Sequence, residues 1–314
     1  MKKILILGGS GFIGRHLCEK LARLPCRVTV PTRRRLNAQH LWMLPRIEVF
    51  EADVHDEAAL ARLVAGHDAV VNLVAILHGN QAAFDKVHVE LPAKLARACA
   101  ATGVRRVVHV SALGADADAP SLYQRSKARG EQVLRAAGLD LTVLRPSVVF
   151  GPEDRLLNLF ADLQRRLPVL PLAHAGARFQ PVWVEDVAAA ISRCLHERGT
   201  IASTYEACGP QVLTLKELVR MAGRCIGRER PVLPVPDALG RLQALLLELL
   251  PGEPLMSRDN LNAMKVDNVA TGTLPGLDAL GIAPTPIDAI APTYLGPQQT
   301  IDDLLALRRS AGRS

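Results

Sequence analysis

The sequence predicts an α/β fold, a doubly wound parallel sheet with a smaller carboxyl-terminal domain on the substrate side, from three observations. Short apolar strands without polar alternation recur through the first half of the chain, amphipathic helical stretches separate them, and the first strand breaks into three glycines before a helix resumes. Strands covered by helices on both faces read as continuous apolar runs, which is the mark of a parallel sheet. Ligands of such sheets sit beyond the carboxyl ends of the strands.

The first strand is Ile4-Leu5-Ile6-Leu7, followed directly by Gly8-Gly9-Ser10-Gly11-Phe12-Ile13-Gly14 and a helix carrying Leu17, Leu21 and Leu24. One glycine permits the tight turn, one lets main chain approach a pyrophosphate, and one lets the helix pack closely on the strand. The free N–H groups and dipole of the helix start favour negative charge. Gly8, Ser10, Gly11, Phe12, Ile13 and Gly14 are therefore candidate dinucleotide contacts. The alternative is a structural strand-to-helix turn with no ligand.

A second strand, Arg27 to Val30, ends about twenty residues after the first glycine, where NAD sites place an acid on the ribose hydroxyls. No acid stands between Val30 and Asn37; the chain reads Thr32-Arg33-Arg34-Arg35 instead. A guanidinium there pairs with a ribose 2′-phosphate, so NADP(H) is preferred and NAD(H) stays open. Arg33, nearest the strand end, is the candidate, and Arg34 and Arg35 read as a solvated loop.

The third strand, Ile47 to Phe50, leads to Asp53 and Val54, placed to meet an adenine ring; a turn or helix-cap role for Asp53 stands beside that, and Asp56 is the better cap. The fourth, Ala69 to Leu73, leads into Leu73-Val74-Ala75, beside the cofactor ribose. Helical stretches are expected at Glu57 to Val64, Ala82 to Ala101 and Leu122 to Ala137, with strands at Arg106 to Val110 and Leu141 to Leu144. Ser111, after the fifth strand, touches the cofactor or is a buried serine bonded to backbone. His78 and His88 have no visible partner and read as structural.

Tyr123 and Lys127 lie one turn apart on one helix face. A cationic Lys127 favours the phenolate and can hold ribose hydroxyls, leaving the phenol to pass a proton to or from a carbonyl or alcohol. The alternative is an ordinary polar pair on a surface helix.

With 314 residues and 49% hydrophobic content the chain can bury a large core. Six scattered cysteines without a C-x-x-C pair indicate neither a metal site nor a disulfide framework, and suit a reducing, cytoplasmic compartment. Met1-Lys2-Lys3 mimics a signal peptide, but the apolar stretch behind it is taken up by the glycine pattern and followed by Arg15 and His16. No apolar run reaches the length of about eighteen residues expected of a transmembrane segment. Leu239 to Leu250 reads as a core or domain-packing helix ended by Pro251, with a membrane or partner surface as the alternative. The net charge of +7 is spread over isolated basic pairs, and aromatics make up only 4%, which argues against nucleic acid as a partner.

These residues together resemble the short-chain dehydrogenase/reductase superfamily in its extended and atypical, epimerase/dehydratase-like branches, with the Rossmann fold. The likeness rests on Gly8-x-x-Gly11-x-x-Gly14, Tyr123-x-x-x-Lys127 and Leu144-Arg145-Pro146-Ser147-Val148-Val149-Phe150-Gly151-Pro152. Phe179 to Val187 and Leu280 to Pro284 extend it over nearly the whole chain. Val110 to Asp116, Gly151 to Arg155 and Phe179 to Val182 look closest to the subgroup of the nucleotide-binding accessory subunit of respiratory complex I and its bacterial relatives. The resemblance implies a tightly held NADP(H), with Pro146 and Val149 at the nicotinamide and Arg155, Asn158 and Arg178 facing the cleft. It implies a dinucleotide-binding domain over 1–152, to which 179–210 returns, and a smaller mixed cap domain over the rest of 153–314.

One departure matters. Extended members carry a catalytic Ser or Thr where this chain has Leu113, and loss of one donor to a substrate oxygen costs about 3–4 kcal/mol of transition-state stabilisation. Two readings follow. The chain is an NADPH-holding subunit with weak or no turnover and a respiratory-chain or other protein partner, peripheral at the inner membrane. Alternatively, it is a working oxidoreductase or epimerase that uses Tyr123 and Lys127 on a quinone, carbonyl or nucleotide sugar.

Overall fold

The computed structural model describes residues 1–248 and 256–296. The chain begins with strands β1 (Lys3–Leu7), β2 (Arg27–Thr32), β3 (Ile47–Glu51), β4 (Ala69–Asn72), β5 (Arg106–Val110) and β6 (Asp140–Pro146). It continues through β7 (Val149–Phe150), β8 (Leu170–Ala173), β9 (Arg178–Phe179), β10 (Val182–Trp183), β11 (Thr204–Ala207), β12 (Leu213–Thr214) and β13 (Val232–Val235). Seven of these form one sheet in the order β11-β6-β5-β4-β1-β2-β3, with every pairing parallel. The order reverses between β1 and β4, so a crevice opens beyond their carboxyl ends.

The helices are α1 (Phe12–Leu21), α2 (Glu57–Val64), α3 (Gln81–Asp85), α4 (Leu91–Thr102), α5 (Leu122–Ala136), α6 (Leu156–Arg166) and α7 (Val184–His196). After them come α8 (Leu215–Cys225), α9 (Asp237–Glu248), α10 (Arg258–Ala263) and α11 (Ile287–Leu295). Successive side chains of a strand point to opposite faces. Ile4 and Ile6 of β1 accordingly pack with Leu17 and Leu21 of α1 and Val187 and Ile191 of α7. Leu5 and Leu7 pack on the other side with Leu60 of α2, Leu91 and Leu95 of α4 and Leu134 of α5. Both faces of β1 are dry, which is why it reads as an unbroken apolar run. A separate core joins Phe150, Leu157, Phe160, Leu218, Val219 and Ile287 on the carboxyl-terminal side.

At the amino edge of the sheet, Arg106 is buried without a carboxylate acceptor. Its guanidinium donates to the carbonyls of Asp140 and Cys194 and to the hydroxyls of Thr142 and Thr200, tying β5, β6, the end of α7 and the turn at Thr200.

Three expectations change. The single helix over Ala82 to Ala101 is α3, a wider π turn over Lys86–Glu90, and α4. The first helix ends at Leu21, and Leu24 packs from the turn that follows. Over Leu239 to Leu250, the described leucines at 239, 242 and 245 are not buried. In α9 the buried face is Gly240 against Ala173, together with Ala244, whereas Leu239, Leu242 and Leu245 are 57%, 53% and 37% exposed. Leu250, Pro251 and residues 297–314 lie outside the described residues.

Candidate functional site

At the end of β1 the chain turns through Gly8, whose φ of +83° is a left-handed conformation and whose missing side chain lets it lie against the Leu73 and Val74 backbone. A Cβ on Gly14 would overlap the Gly8 carbonyl and Gly9, so α1 starts hard against the strand. Gly11 is the N-cap, no side chain caps the helix, and its first turn holds no acid. The leading amides therefore remain donors without an intrahelical acceptor, at the positive end of the helix dipole. Ser10, Phe12 and Ile13 lie on this turn.

Beyond β2, Arg33, Arg34 and Arg35 are exposed. Arg33 faces the loop after β3, where burial and then Lys86, Lys94 and Arg33, against Asp53, hold the His55 imidazole below its usual range. Asp53 is exposed and one of its oxygens accepts the His55 amide at 2.9 Å, which makes a turn and leaves the other oxygen unbonded among the described residues. Asp56 is the α2 cap, accepting from the amides of Ala58 and Ala59. Val54 packs at the edge of the α2–α4 core.

Beyond β4, the Asn72 amide bonds His109 Nδ1 at 3.2 Å and its oxygen accepts the Val74 amide at 3.2 Å, which shapes Leu73-Val74-Ala75. His88 reaches the same loop, its Nε2 accepting from the Ile76 amide at 3.1 Å. Beyond β5, the Ser111 hydroxyl is buried with no hydrogen-bond partner among the described residues. Leu113 is 2% exposed, its amide donating to the Pro146 carbonyl and its carbonyl accepting from Asn268. Val149 pairs with Val182 across β7 and β10.

Ser121 caps α5, and Asp259 of α10 accepts the Leu122 and Tyr123 amides at 2.7 and 3.0 Å. Tyr123 is half-buried, and desolvation pushes its phenol up to about 12. Lys127 is 2% exposed; burial, against Glu131, brings its amine down to about 8, and Nζ donates to the Val110 carbonyl at 3.0 Å. An ammonium has three protons to donate. The others have no acceptor among the described residues. The expectation that Lys127 draws the phenol toward ionisation is not met: desolvation dominates both groups.

Of the residues expected to face the cleft, Asn158 donates to the Pro152 and Asp154 carbonyls, and Arg178 makes a two-pronged pair with Asp267. Both are committed to local structure, and Arg155 stands at the N-cap of α6. His16, Glu19 and Glu185 lie close enough to share a cation. Both ring nitrogens of His16 already face Glu185 and Glu153, however, and Lys20 pairs with Glu185. Asn72, His88, Asp259 and Asn268 were not singled out as site residues by sequence, because each bonds a group far away in the chain, Asn72 to the His109 ring, His88 to the Ser126 hydroxyl, and Asp259 and Asn268 to distant main chain.

The fit to a dinucleotide rests on uncapped amides behind a glycine turn, a buried ammonium with spare protons and a buried orphan hydroxyl. All lie at one edge of a parallel sheet, the arrangement of the Rossmann class of nucleotide-binding proteins. Residues 4–208 match the model of the NAD dependent epimerase/dehydratase family, and the chain belongs to that family.

Over 294 residues it is 31% identical to the mitochondrial NADH-ubiquinone oxidoreductase 40 kDa subunit of Neurospora crassa, covering 92% of this chain and 78% of that one. It is 31% identical over 240 residues to the ceramide reductase of Caulobacter vibrioides, 74% of each chain. The structure of the dTDP-glucose 4,6-dehydratase DesIV from Streptomyces venezuelae, with NAD and TYD bound, matches at a TM-score of 0.66 and 26% identity. That match covers 75% of this chain and 85% of that one.

Proposed function

We propose that the protein holds NADP(H) and serves as a nucleotide-holding subunit of the complex I accessory type, with weak or no turnover. The observation that carries this reading is Leu113, a buried apolar side chain where the family resemblance implies a catalytic hydroxyl. The amides at Ser10 to Gly14 would hold the pyrophosphate, Arg33 the 2′-phosphate, and Asp53 and Val54 the adenine. Leu73, Val74 and Ala75 would border the ribose. Lys127 and Ser111 would donate to ribose hydroxyls, and Pro146 and Val149 would line the nicotinamide. When bound, the nucleotide supplies hydride chemistry; this chain's contribution is to bind it and to place a protonated Tyr123 beside it. A respiratory-chain partner at the inner membrane, on a protein otherwise of the cytoplasm, belongs to the same reading.

The test is calorimetry and turnover on nucleotide-free protein. NADPH should bind more tightly than NADH, and Arg33→Asp should erase about 1.5–3 kcal/mol of that preference, the range for a hydrogen bond to a charged group. Bound NADPH should persist when quinones, small carbonyls or nucleotide sugars are added. Leu113→Ser restores a hydroxyl there, and any turnover it gains should vanish on adding Tyr123→Phe. Equal loss of NADPH and NADH affinity in Arg33→Asp overturns the NADP assignment. Brisk turnover by the natural chain overturns the holding role.

A second reading, an active oxidoreductase or epimerase, is favoured by one observation. The Tyr123 hydroxyl has no hydrogen-bond partner among the described residues while its ring is fixed, which suits a proton donor to a substrate oxygen. The ceramide reductase likeness points that reading toward a lipid carbonyl.

A further inference from the structure

Beneath Tyr123 lies a buried group that the proposed chemistry does not use. His88 is 2% exposed at the centre of the π turn Lys86–Glu90. Its ring stacks on Phe84 with centroids 5.5 Å apart and meets the Tyr123 ring edge to face, also at 5.5 Å; Phe84 and Tyr123 lie 6.1 Å apart. The three rings therefore form a closed triangle, of which Tyr123 is the corner that is not fully buried.

The hydrogen bonds around the imidazole fix its protonation. Ser126 Oγ donates to the Tyr123 carbonyl at 2.8 Å, which uses its only proton, so the 2.8 Å contact with His88 Nδ1 requires that nitrogen to be the donor. Nε2, accepting the Ile76 amide, must then be bare. The ring is a neutral Nδ1–H tautomer, and burial, reinforced by Lys127 and His109, brings its pKa down to about 2. Opposite edges of one flat ring thus grip the loop leaving β4 and the first turns of α5.

The neighbouring elements are shaped to this grip. The π turn Lys86–Glu90 widens the backbone locally, as such turns do frequently at functional positions. The His88 carbonyl presses onto α5 at Gly130, where any Cβ would overlap it.

We propose that His88 is the positioning residue for Tyr123: its two hydrogen bonds lock α5 to the loop after β4 and hold the phenol ring in a single place at the mouth of the cleft. The inference rests on the reading of Tyr123 as the reactive phenol, and it is tested without turnover. The chain has three tyrosines, Tyr123, Tyr205 and Tyr294, so 3-fluorotyrosine labelling of the full protein gives three ¹⁹F lines, with Tyr123 assigned by Tyr123→Phe. The readout is the number and width of the Tyr123 lines; their position moves with any change of neighbouring ring.

His88→Phe keeps a ring but neither hydrogen bond, and should broaden or split the Tyr123 line and speed Ile76 amide exchange at least tenfold, with the Tyr205 and Tyr294 lines sharp. His88→Gln keeps a donor and an acceptor without the ring, and should restore one Tyr123 line and a protected Ile76 amide. One sharp Tyr123 line in His88→Phe overturns the proposal. So does loss of all three lines together, which assigns His88 to folding alone, or failure of His88→Gln to rescue. If the line behaviour is as expected but Tyr123→Phe leaves nucleotide turnover and affinity unchanged, it is the reactive-phenol reading that has failed, not the clamp.

Discussion

His16 sits where α1, α7 and the loop after β7 meet, with Nδ1 2.6 Å from Glu185 and Nε2 3.4 Å from Glu153. Burial alone would lower its pKa, but the two carboxylates outweigh that and leave it above its ordinary 6.5. A group whose folded pKa is raised stabilises the fold most when both states are protonated. That contribution is complete below pH 6.5 and disappears as pH rises through the folded value. The Tm advantage of the natural chain over His16→Gln should therefore shrink as pH rises above 6.5. An advantage that grows as pH rises contradicts the assignment.

Gly14 gives a second residue-scale prediction. Gly14→Ala places a methyl group against the Gly8 carbonyl, and overpacking of this kind costs about 1–3 kcal/mol. Thermal melts should show the loss, and nucleotide affinity should fall with it, because the same overlap pushes α1 away from the turn.

At the scale of elements, α5 depends on a residue from the other side of the chain. Asp259→Ala leaves the Leu122 and Tyr123 amides without their acceptor. Unmade hydrogen bonds of partly buried donors cost about 1–3 kcal/mol, so denaturant unfolding should shift to a lower midpoint with an unchanged slope.

Which elements the sequence announces follows from what satisfies them. β1, β4 and β5 are buried on both faces by aliphatic side chains, and their apolar runs are legible. β11 reads Thr204-Tyr205-Glu206-Ala207 and hides its place in the sheet, because its buried Glu206 is satisfied by the Thr271 amide and hydroxyl from a distant segment. The π turn is equally silent: Lys86 to Glu90 has ordinary helical composition, and its close approach to Gly130 is made to a distant segment. In the candidate site, the glycine turn and the Tyr123–Lys127 spacing are local patterns and could be read. Asn72, His88 and Asp259 each have one partner more than 30 residues away, His109, Ser126 and the start of α5, as with the 38 separating His88 from Ser126.

For the whole molecule, a ligand that binds only the folded chain stabilises it by mass action, by about 2.7 kcal/mol at a hundred times its dissociation constant. NADPH should raise the midpoint of thermal unfolding in proportion to the logarithm of its concentration, and more than NADH does. The absence of any upshift from nucleotide-free protein would remove the basis of the proposed function.

The knot around Arg106 gives its corner of the sheet a chemical temperament of its own. Every acceptor of that guanidinium is an amide carbonyl or a hydroxyl, groups that gain no proton in ordinary acid, and the guanidinium itself does not release one. That knot is thus indifferent to acidity. At the carboxyl ends of the strands stand groups of the opposite kind: Lys127, brought down to about 8, His16, held above its ordinary 6.5, and His55, held below it.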